Sequence, residues 1–206
     1  ITKVYGGSPI KLDSVYNKCI LWSKQLADYL YPTEVLVNQA LSDNKIVILE
    51  GAQGTMLDLD HGTYPYVTSS SSAIGGACTG LGISPIHIKE IAGIFKAYST
   101  RVGGGPMVSE MNDSISDSLR ERAWEYGTTT GRPRRIGWFD TVAGKYSVIV
   151  NGFTSIVLTR LDVLDGYDKI KLCVSYQLNG KTLDRFPASL TELGKCTPVY
   201  EELSGW

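Results

Sequence analysis

The 206-residue sequence predicts an α/β fold, a mostly parallel sheet with flanking helices and a small antiparallel hairpin region. Three observations predict it. Lys45-Ile46-Val47-Ile48-Leu49-Glu50 is a short apolar run of the kind buried in parallel sheets. Apolar residues recur at helical spacing ahead of it. Asn179-Gly180, a strong two-residue turn signal, separates two strand-like runs near the end.

The elements follow in order. Leu12, Val15, Tyr16, Cys19, Ile20, Leu26 and Leu30 share one helical face, which predicts a helix over 12–31 stopped by Pro32. Thr33 is the expected N-cap of a second helix over 34–43, with Glu34 in its first turn. The strand 45–50 runs into Gly51-Ala52-Gln53-Gly54-Thr55, and ligand loops of open α/β sheets lie at the carboxyl ends of strands. Residues 58–85 are rich in Gly, Ser and Thr without periodicity, the mark of a functional or disordered stretch. Tyr64, Pro65, Tyr66 and Pro85 favour an ordered wall. Ile88, Ile91, Ile94 and Phe95 predict a helix over 87–98. Gly103-Gly104-Gly105-Pro106 is expected to be a turn or a flexible hinge. Further helices are expected over 115–126 and 139–151, a buried strand over 155–158, and a hairpin of 170–177 with 181–186. The domain organisation expected is one body, 1–206, with a helical segment 10–44 and a core with ligand loops over 45–206.

Composition narrows the classes. A formal net charge of −1 gives no bulk reason to bind nucleic acid or an anionic membrane. No apolar run reaches the roughly 18–20 residues of a membrane span. Cys19, Cys78, Cys173 and Cys196 are scattered, and His61 and His87 are the only histidines, so neither a zinc site nor a disulfide framework is expected. Free thiols in a reducing cytosol are the expectation. The chain starts at Ile1 and stops at Gly205-Trp206, which leads us to expect a piece of a longer protein.

Chemistry concentrates in Thr128-Thr129-Thr130-Gly131-Arg132-Pro133-Arg134-Arg135. Arginine carries a permanent planar fork that grips carboxylate and phosphate at two points. Gly131 permits backbone conformations that other residues resist, and Pro133 stiffens the loop. By itself such a cluster reads first as a solvated basic loop, since exposed arginine is the norm. Its company points elsewhere. The run Leu49-Glu50-Gly51-Ala52-Gln53-Gly54-Thr55 continues into Asp58-Leu59-Asp60-His61-Gly62-Thr63-Tyr64-Pro65-Tyr66-Val67-Thr68-Ser69. Then come Ala97-Tyr98-Ser99-Thr100-Arg101-Val102-Gly103, the arginine loop with Gly137-Trp138-Phe139-Asp140, and Leu161-Asp162-Val163-Leu164-Asp165-Gly166. In this order, over roughly 45–206, these motifs resemble the adenylosuccinate synthetase family; residues 1–44 match only loosely.

The resemblance implies an incomplete form of that family's P-loop-NTPase-like core. It implies a cytoplasmic ligase of AMP biosynthesis, commonly a homodimer, that joins IMP and L-aspartate using GTP and Mg²⁺. GTP phosphorylates the purine 6-oxygen, and the aspartate amine then displaces that phosphate. Such phosphoryl transfer needs positioning and charge neutralisation more than covalent help. Gln53 matches the glutamine at the purine 6-position, where a neutral amide both donates and accepts. Thr68 matches the threonine that holds the IMP 5′-phosphate through its hydroxyl and backbone N–H. Val102 matches a position whose backbone meets the ribose. Thr128, Thr129, Thr130, Gly131, Arg132, Pro133 and Arg134 match the loop that closes on aspartate. Arg132 would also reach IMP, and Arg134 the triphosphate region. Arg160, Leu161 and Asp162 match the guanine site: a carboxylate accepts from both N1–H and the exocyclic amine, which adenine cannot offer. Arg160 stands where the family commonly has lysine. Arg135 has no implied ligand role and is read as solvated or paired with a neighbouring element. His61 is read as a structural group.

The family's Gly-Asp-Glu-Gly-Lys-Gly phosphate loop, with its catalytic aspartate and magnesium ligation, is absent from the sequence, as are the catalytic histidine and a C-terminal guanine-side loop. No metal ligand is therefore assigned here. Two other readings stand beside this one: a related synthetase for another purine nucleotide, and a non-catalytic nucleotide-binding relative.

Overall fold

The computed structural model describes residues 2–111, 114–128 and 131–206. It divides into two compact units, one running to Val47 and one spanning Ile48–Trp206. The first is helical: α1 (Thr2–Tyr5), α2 (Leu12–Leu26) and α3 (Thr33–Ser42), with a tight 3-10 turn at Ala27–Tyr29. The helix expected over 12–31 therefore closes at Leu26, ahead of Pro32, whose ring disfavours helical geometry in the residue before it. Thr33 is the first residue of α3 and not its cap. Pro32 holds that position, and its carbonyl accepts from the Val35 and Leu36 N–H groups at 3.1 and 3.2 Å.

The second unit carries β1 (Ala92–Lys96), β2 (Tyr98–Arg101), β3 (Arg135–Asp140), β4 (Ser155–Thr159), β5 (Lys169–Leu178), β6 (Lys181–Leu183) and β7 (Thr197–Ser204). β1 and β4 form a parallel pair; β2-β3-β5-β6, with β7 also on β5, form a second sheet. The α/β class holds. Parallel pairing joins β1 to β4 and β3 to β5, while β2–β3, β5–β6 and β5–β7 are antiparallel, so one sheet is parallel and the other mixed. The hairpin across Asn179-Gly180 is present. Both turn residues have positive φ (51° and 75°), as a two-residue turn matched to strand twist requires. Helices α4 (Gly75–Leu81), α5 (Ser114–Ala123), α6 (Thr141–Asn151) and α7 (Leu190–Leu193) complete the unit.

Three expectations are overturned. Residues 45–50 form no strand: Ile46 and Ile48 are 93% and 86% exposed, and no described strand lies beside them to supply a ladder. Residues 87–98 hold β1 and not a helix. Their isoleucines fit helical spacing, but the decisive partner, β4, lies some sixty positions downstream and is invisible to local periodicity. β4 itself is exposed and not buried, with Ile156 at 57%. The stretch 58–85, read as non-periodic, contains α4 and is flanked by two short 3-10 turns, Thr55–Leu57 and Pro85–His87.

The principal core packs α5 against the second sheet. α5 buries Ser116, Leu119 and Ala123, spaced three and four apart on one face. They meet Tyr98, Ile136, Trp138 and Ile170 from the strands and Val163 and Leu164 from the turn after β4. A second cluster gathers Val142, Cys173, Tyr176 and Leu193. Asp140 caps α6 by accepting from the Val142 and Ala143 N–H groups at 3.1 and 3.0 Å.

Gly137 lies where β3 passes the 107–109 turn. A Cβ there would sit 2.5 Å from the Ser109 carbonyl oxygen and 2.8 Å from the Met107 methyl. Gly137→Ala is expected to destabilise the fold by about 1–3 kcal/mol, measured by denaturant unfolding.

Candidate functional site

Every site residue named from the sequence that the structure describes lies in the second unit; Thr129 and Thr130 lie outside the described residues. The first wall is the loop that carries Gln53 and Thr68. Gln53 is exposed and left-handed, with φ 63°. The Gly54 carbonyl accepts from Leu57 N–H, and the Leu57 carbonyl accepts from Thr68 N–H at 2.8 Å, so one short chain of bonds connects the two positions. The Thr68 backbone N–H is thus bonded within the loop.

Asp58 organises this loop from beneath. It is 1% exposed. Oδ1 accepts from the Asp60 and His61 N–H groups, both at 2.9 Å, and Oδ2 from Ala73 N–H at 2.8 Å. Burial would push the carboxyl up, but these backbone donors outweigh it and hold the group below its ordinary range. Asn151, at the end of α6, donates from Nδ2 to Thr55 Oγ1 at 2.9 Å and accepts at Oδ1 from Ile74 N–H at 2.8 Å. His61 contributes through its backbone, since Tyr146 Oη donates to its carbonyl at 2.8 Å.

Arg101, at the end of β2, fastens the loop to the Val102 segment. Its Nη2 donates to Thr63 Oγ1 (2.8 Å) and the Tyr66 carbonyl (2.9 Å), and its Nε to the Gly104 carbonyl (2.8 Å). Val102 is 46% exposed beside this clamp. Arg135 is spent on structure. It forms a two-point ion pair with Glu110, and its Nη1 donates to the Gly105 carbonyl at 2.7 Å.

The second wall is the arginine loop, built as a hairpin end. Gly127 N–H donates to the Arg132 carbonyl (2.8 Å), Gly131 N–H to the Gly127 carbonyl (2.8 Å), and Arg134 N–H to the Glu125 carbonyl (2.9 Å); Tyr126 pairs with Pro133. Gly131 has φ 63°, which allows the reversal. Thr128, Gly131, Arg132 and Pro133 are exposed.

Below the loop lies Glu125, 1% exposed. Lys96 Nζ (2.6 Å) and Tyr98 Oη (2.7 Å) donate to its Oε1, and Arg134 Nη1 (2.6 Å) donates to its Oε2. Burial alone would raise this carboxyl; the bonds from Lys96, Tyr98 and Arg134 prevail and hold it below the ordinary 4.5. The Tyr98 hydroxyl is pushed well up, by burial first and then by its bond to Glu125.

The third wall follows β4. Arg160 is left-handed (φ 64°), and its Nη2 donates to the Ala123 carbonyl at 2.7 Å, two residues before Glu125. Leu161 is 42% exposed and Asp162 is exposed. β1 and β4 run in register from Lys96 to Thr159, so their carboxyl ends bring the Glu125 cluster and the 160–162 turn to one place. The structure thus draws Arg134, Arg160 and Asp162 toward a common anchor, while the Gln53 and Thr68 loop is joined separately to Val102 by Arg101.

The adenylosuccinate synthetase family model matches residues 1–206. This chain belongs to that family. It is 53% identical over 206 residues to adenylosuccinate synthetase of Dehalococcoides mccartyi (strain BAV1), covering all of this chain and 49% of that protein. It is 51% identical over 205 residues to that of Limosilactobacillus reuteri, covering 48% of it. The solved structure of fully ligated adenylosuccinate synthetase from Plasmodium falciparum superposes with a TM-score of 0.93 at 39% identity, over all of this chain and 49% of that one. The chain spans about half the length of the curated relatives it matches.

Among the described residues, no three His, Cys, Asp or Glu side chains converge as a metal would require. Sequence reasoning missed Glu125, Lys96 and Arg101. Glu125 reads as one more charge at the end of a polar helix, and nothing local distinguishes it. The Asp58 turn was legible, because an aspartate bonding backbone N–H groups two and three residues on is a familiar local pattern.

Two outcomes follow for this unit. Asp58→Ala strands three backbone donors and is expected to cost about 2–4 kcal/mol, read by thermal or denaturant unfolding. The folded value of Glu125 lies below its unfolded one. Its stabilisation is therefore complete above 4.5 and is lost as pH falls through the lowered folded value. Wild-type unfolding free energy should drop over that acid window, and Glu125→Gln should flatten this part of the curve.

Proposed function

We propose that this chain supplies one half of the active site of an enzyme of the relatives' length. That enzyme joins IMP and L-aspartate at the expense of GTP, giving adenylosuccinate, GDP and phosphate. One observation carries the reading: a match to the family along all 206 residues, over a fold that superposes on a solved adenylosuccinate synthetase with a TM-score of 0.93.

In this reading the Gln53 amide meets the purine 6-oxygen as it takes the γ-phosphoryl group of GTP. Its left-handed backbone and exposed side chain support that placement. The Thr68 hydroxyl holds the 5′-phosphate, and the Val102 backbone meets the ribose. Thr128, Thr129, Thr130, Gly131, Arg132, Pro133 and Arg134 form the lid over aspartate. Arg132 and Arg134 orient its carboxylates so that its amine faces the carbon carrying the departing phosphate. Arg132 also reaches IMP, and Arg134 the triphosphate. The Asp162 carboxylate accepts from guanine N1–H and the exocyclic amine. Arg160, tied at its head to the Ala123 carbonyl, lays its stem beside the base, and Leu161 covers an edge.

Mg²⁺, when bound, neutralises phosphate charge, and its ligands belong to a segment other than this one. The enzyme is a homodimer and works in the cytoplasm. The free state of all four cysteines agrees with a reducing compartment.

The test is a spectroscopic assay of a polypeptide of the relatives' length carrying this chain. GTP-dependent conversion of IMP and aspartate to adenylosuccinate is expected, and its absence would sink the reading. The 206-residue chain alone, which lacks the phosphate loop, should show no such turnover. Asp162→Asn should lower kcat/KM for GTP by about 100-fold while leaving the KM for IMP within about twofold, because only the base contact is lost.

A further inference from the structure

We propose that Glu125 is the positioning residue of the arginine loop: its buried carboxylate aims Arg134 at the carboxylate of the amino-acid substrate. The inference rests on the proposed function.

A buried carboxylate survives only where donors replace its water, and here they come from three places. Lys96 stands on β1 and Tyr98 on β2, both parts of sheets, while Arg134 stands on the loop. The sheets therefore locate the carboxylate, and the carboxylate locates the loop arginine. The backbone repeats the instruction, because Arg134 N–H bonds the carbonyl of the same Glu125 at 2.9 Å. The guanidinium is thus held from both its root and its head.

The stoichiometry of the contact separates aiming from bracing. Arg135, one residue on, gives Glu110 two nitrogens and spends a third on the Gly103 and Gly105 carbonyls. Its fork is consumed. Arg134 gives Glu125 a single nitrogen, Nη1, in the contacts of the described residues, and its side chain remains 28% exposed. The Nε–Nη2 edge, which forms two-point pairs with carboxylates, is not the edge that bonds Glu125. Glu125 also balances Lys96 and Arg134. Without its charge these two cations face each other across a buried amide, and the arginine loses its fixed direction.

The test uses a polypeptide of the relatives' length. Glu125→Gln keeps the shape and removes the charge. It is expected to raise the KM for aspartate about tenfold, with the KM for IMP within about twofold and kcat at saturating aspartate falling by less than about threefold. A general loss of structure would move all three together. In an Arg134→Lys background, Glu125→Gln should have little further effect on kcat/KM for aspartate, because the residue acts through Arg134. Additive losses, or an unchanged aspartate KM, would overturn the proposal. If Glu125→Gln lacks a cooperative unfolding transition, Tyr98→Phe carries the test. It removes one donor to the carboxylate and should raise the aspartate KM about threefold while sparing that of IMP; an unchanged aspartate KM overturns the proposal. Wild-type protein without IMP–aspartate ligation would bring down the functional reading and this inference with it. Wild-type activity with an indifferent Glu125→Gln brings down the inference alone.

Discussion

The second unit is organised around one buried negative charge. Glu125 follows α5, and its carboxylate is reached from β1, β2 and the arginine loop. Such a group is costly to bury and costly to disturb, because removal of the carboxylate leaves Lys96 and Arg134 facing each other in a medium that screens them poorly. The constraint propagates outward. Lys96 ends β1, which is in register with β4, and β4 delivers Arg160 to the carbonyl of Ala123. Two walls that are far apart in sequence share one electrostatic foundation.

The neighbouring arginines show how similar residues divide labour. Arg134 touches the buried carboxylate at one nitrogen, Arg135 closes fully on Glu110, and Arg132 is exposed at the loop. Spacing alone puts all three in one cluster. Alternation along the paired backbone turns Arg134 and Arg135 to opposite faces, while Arg132, of the same parity as Arg134, lies on the tip side of the Tyr126–Pro133 pair.

Legibility followed the range of the forces involved. The Asn179-Gly180 hairpin, α5 and α6 could be read because turn chemistry and helical spacing are local. The Gln53, Thr68 and Asp162 motifs could be read because their residue order is distinctive, and the family assignment followed from them. β1 could not, because a parallel partner some sixty residues away decides it against the helical spacing of Ile88, Ile91 and Ile94. The segment 45–50 failed in the opposite sense. Its composition suits a strand, but a ladder needs a neighbour. Glu125 was illegible for a third reason: its importance is the coincidence of three donors, and a sequence shows only one glutamate. The bond from Thr68 N–H to the Leu57 carbonyl was illegible as well, since its partner stands well upstream in the chain.

Asn151 closes α6 with a single amide that touches Thr55 and Ile74, which bracket the loop carrying Thr68. Its Nδ2 reaches Thr55 and the Ser147 carbonyl, and its Oδ1 receives Ile74 N–H. An amide is the smallest group with a donor at one tip and an acceptor at the other. Aspartate would keep the shape and lose both donations; leucine would keep the volume and lose everything. The helix terminus and the two roots of the loop consequently behave as one mechanical part, with a hinge stiffness set by a handful of atoms. A displacement of α6 would be felt at Thr55 and at Ile74 in the same instant, and the loop between them would shift as a body instead of flexing at one end.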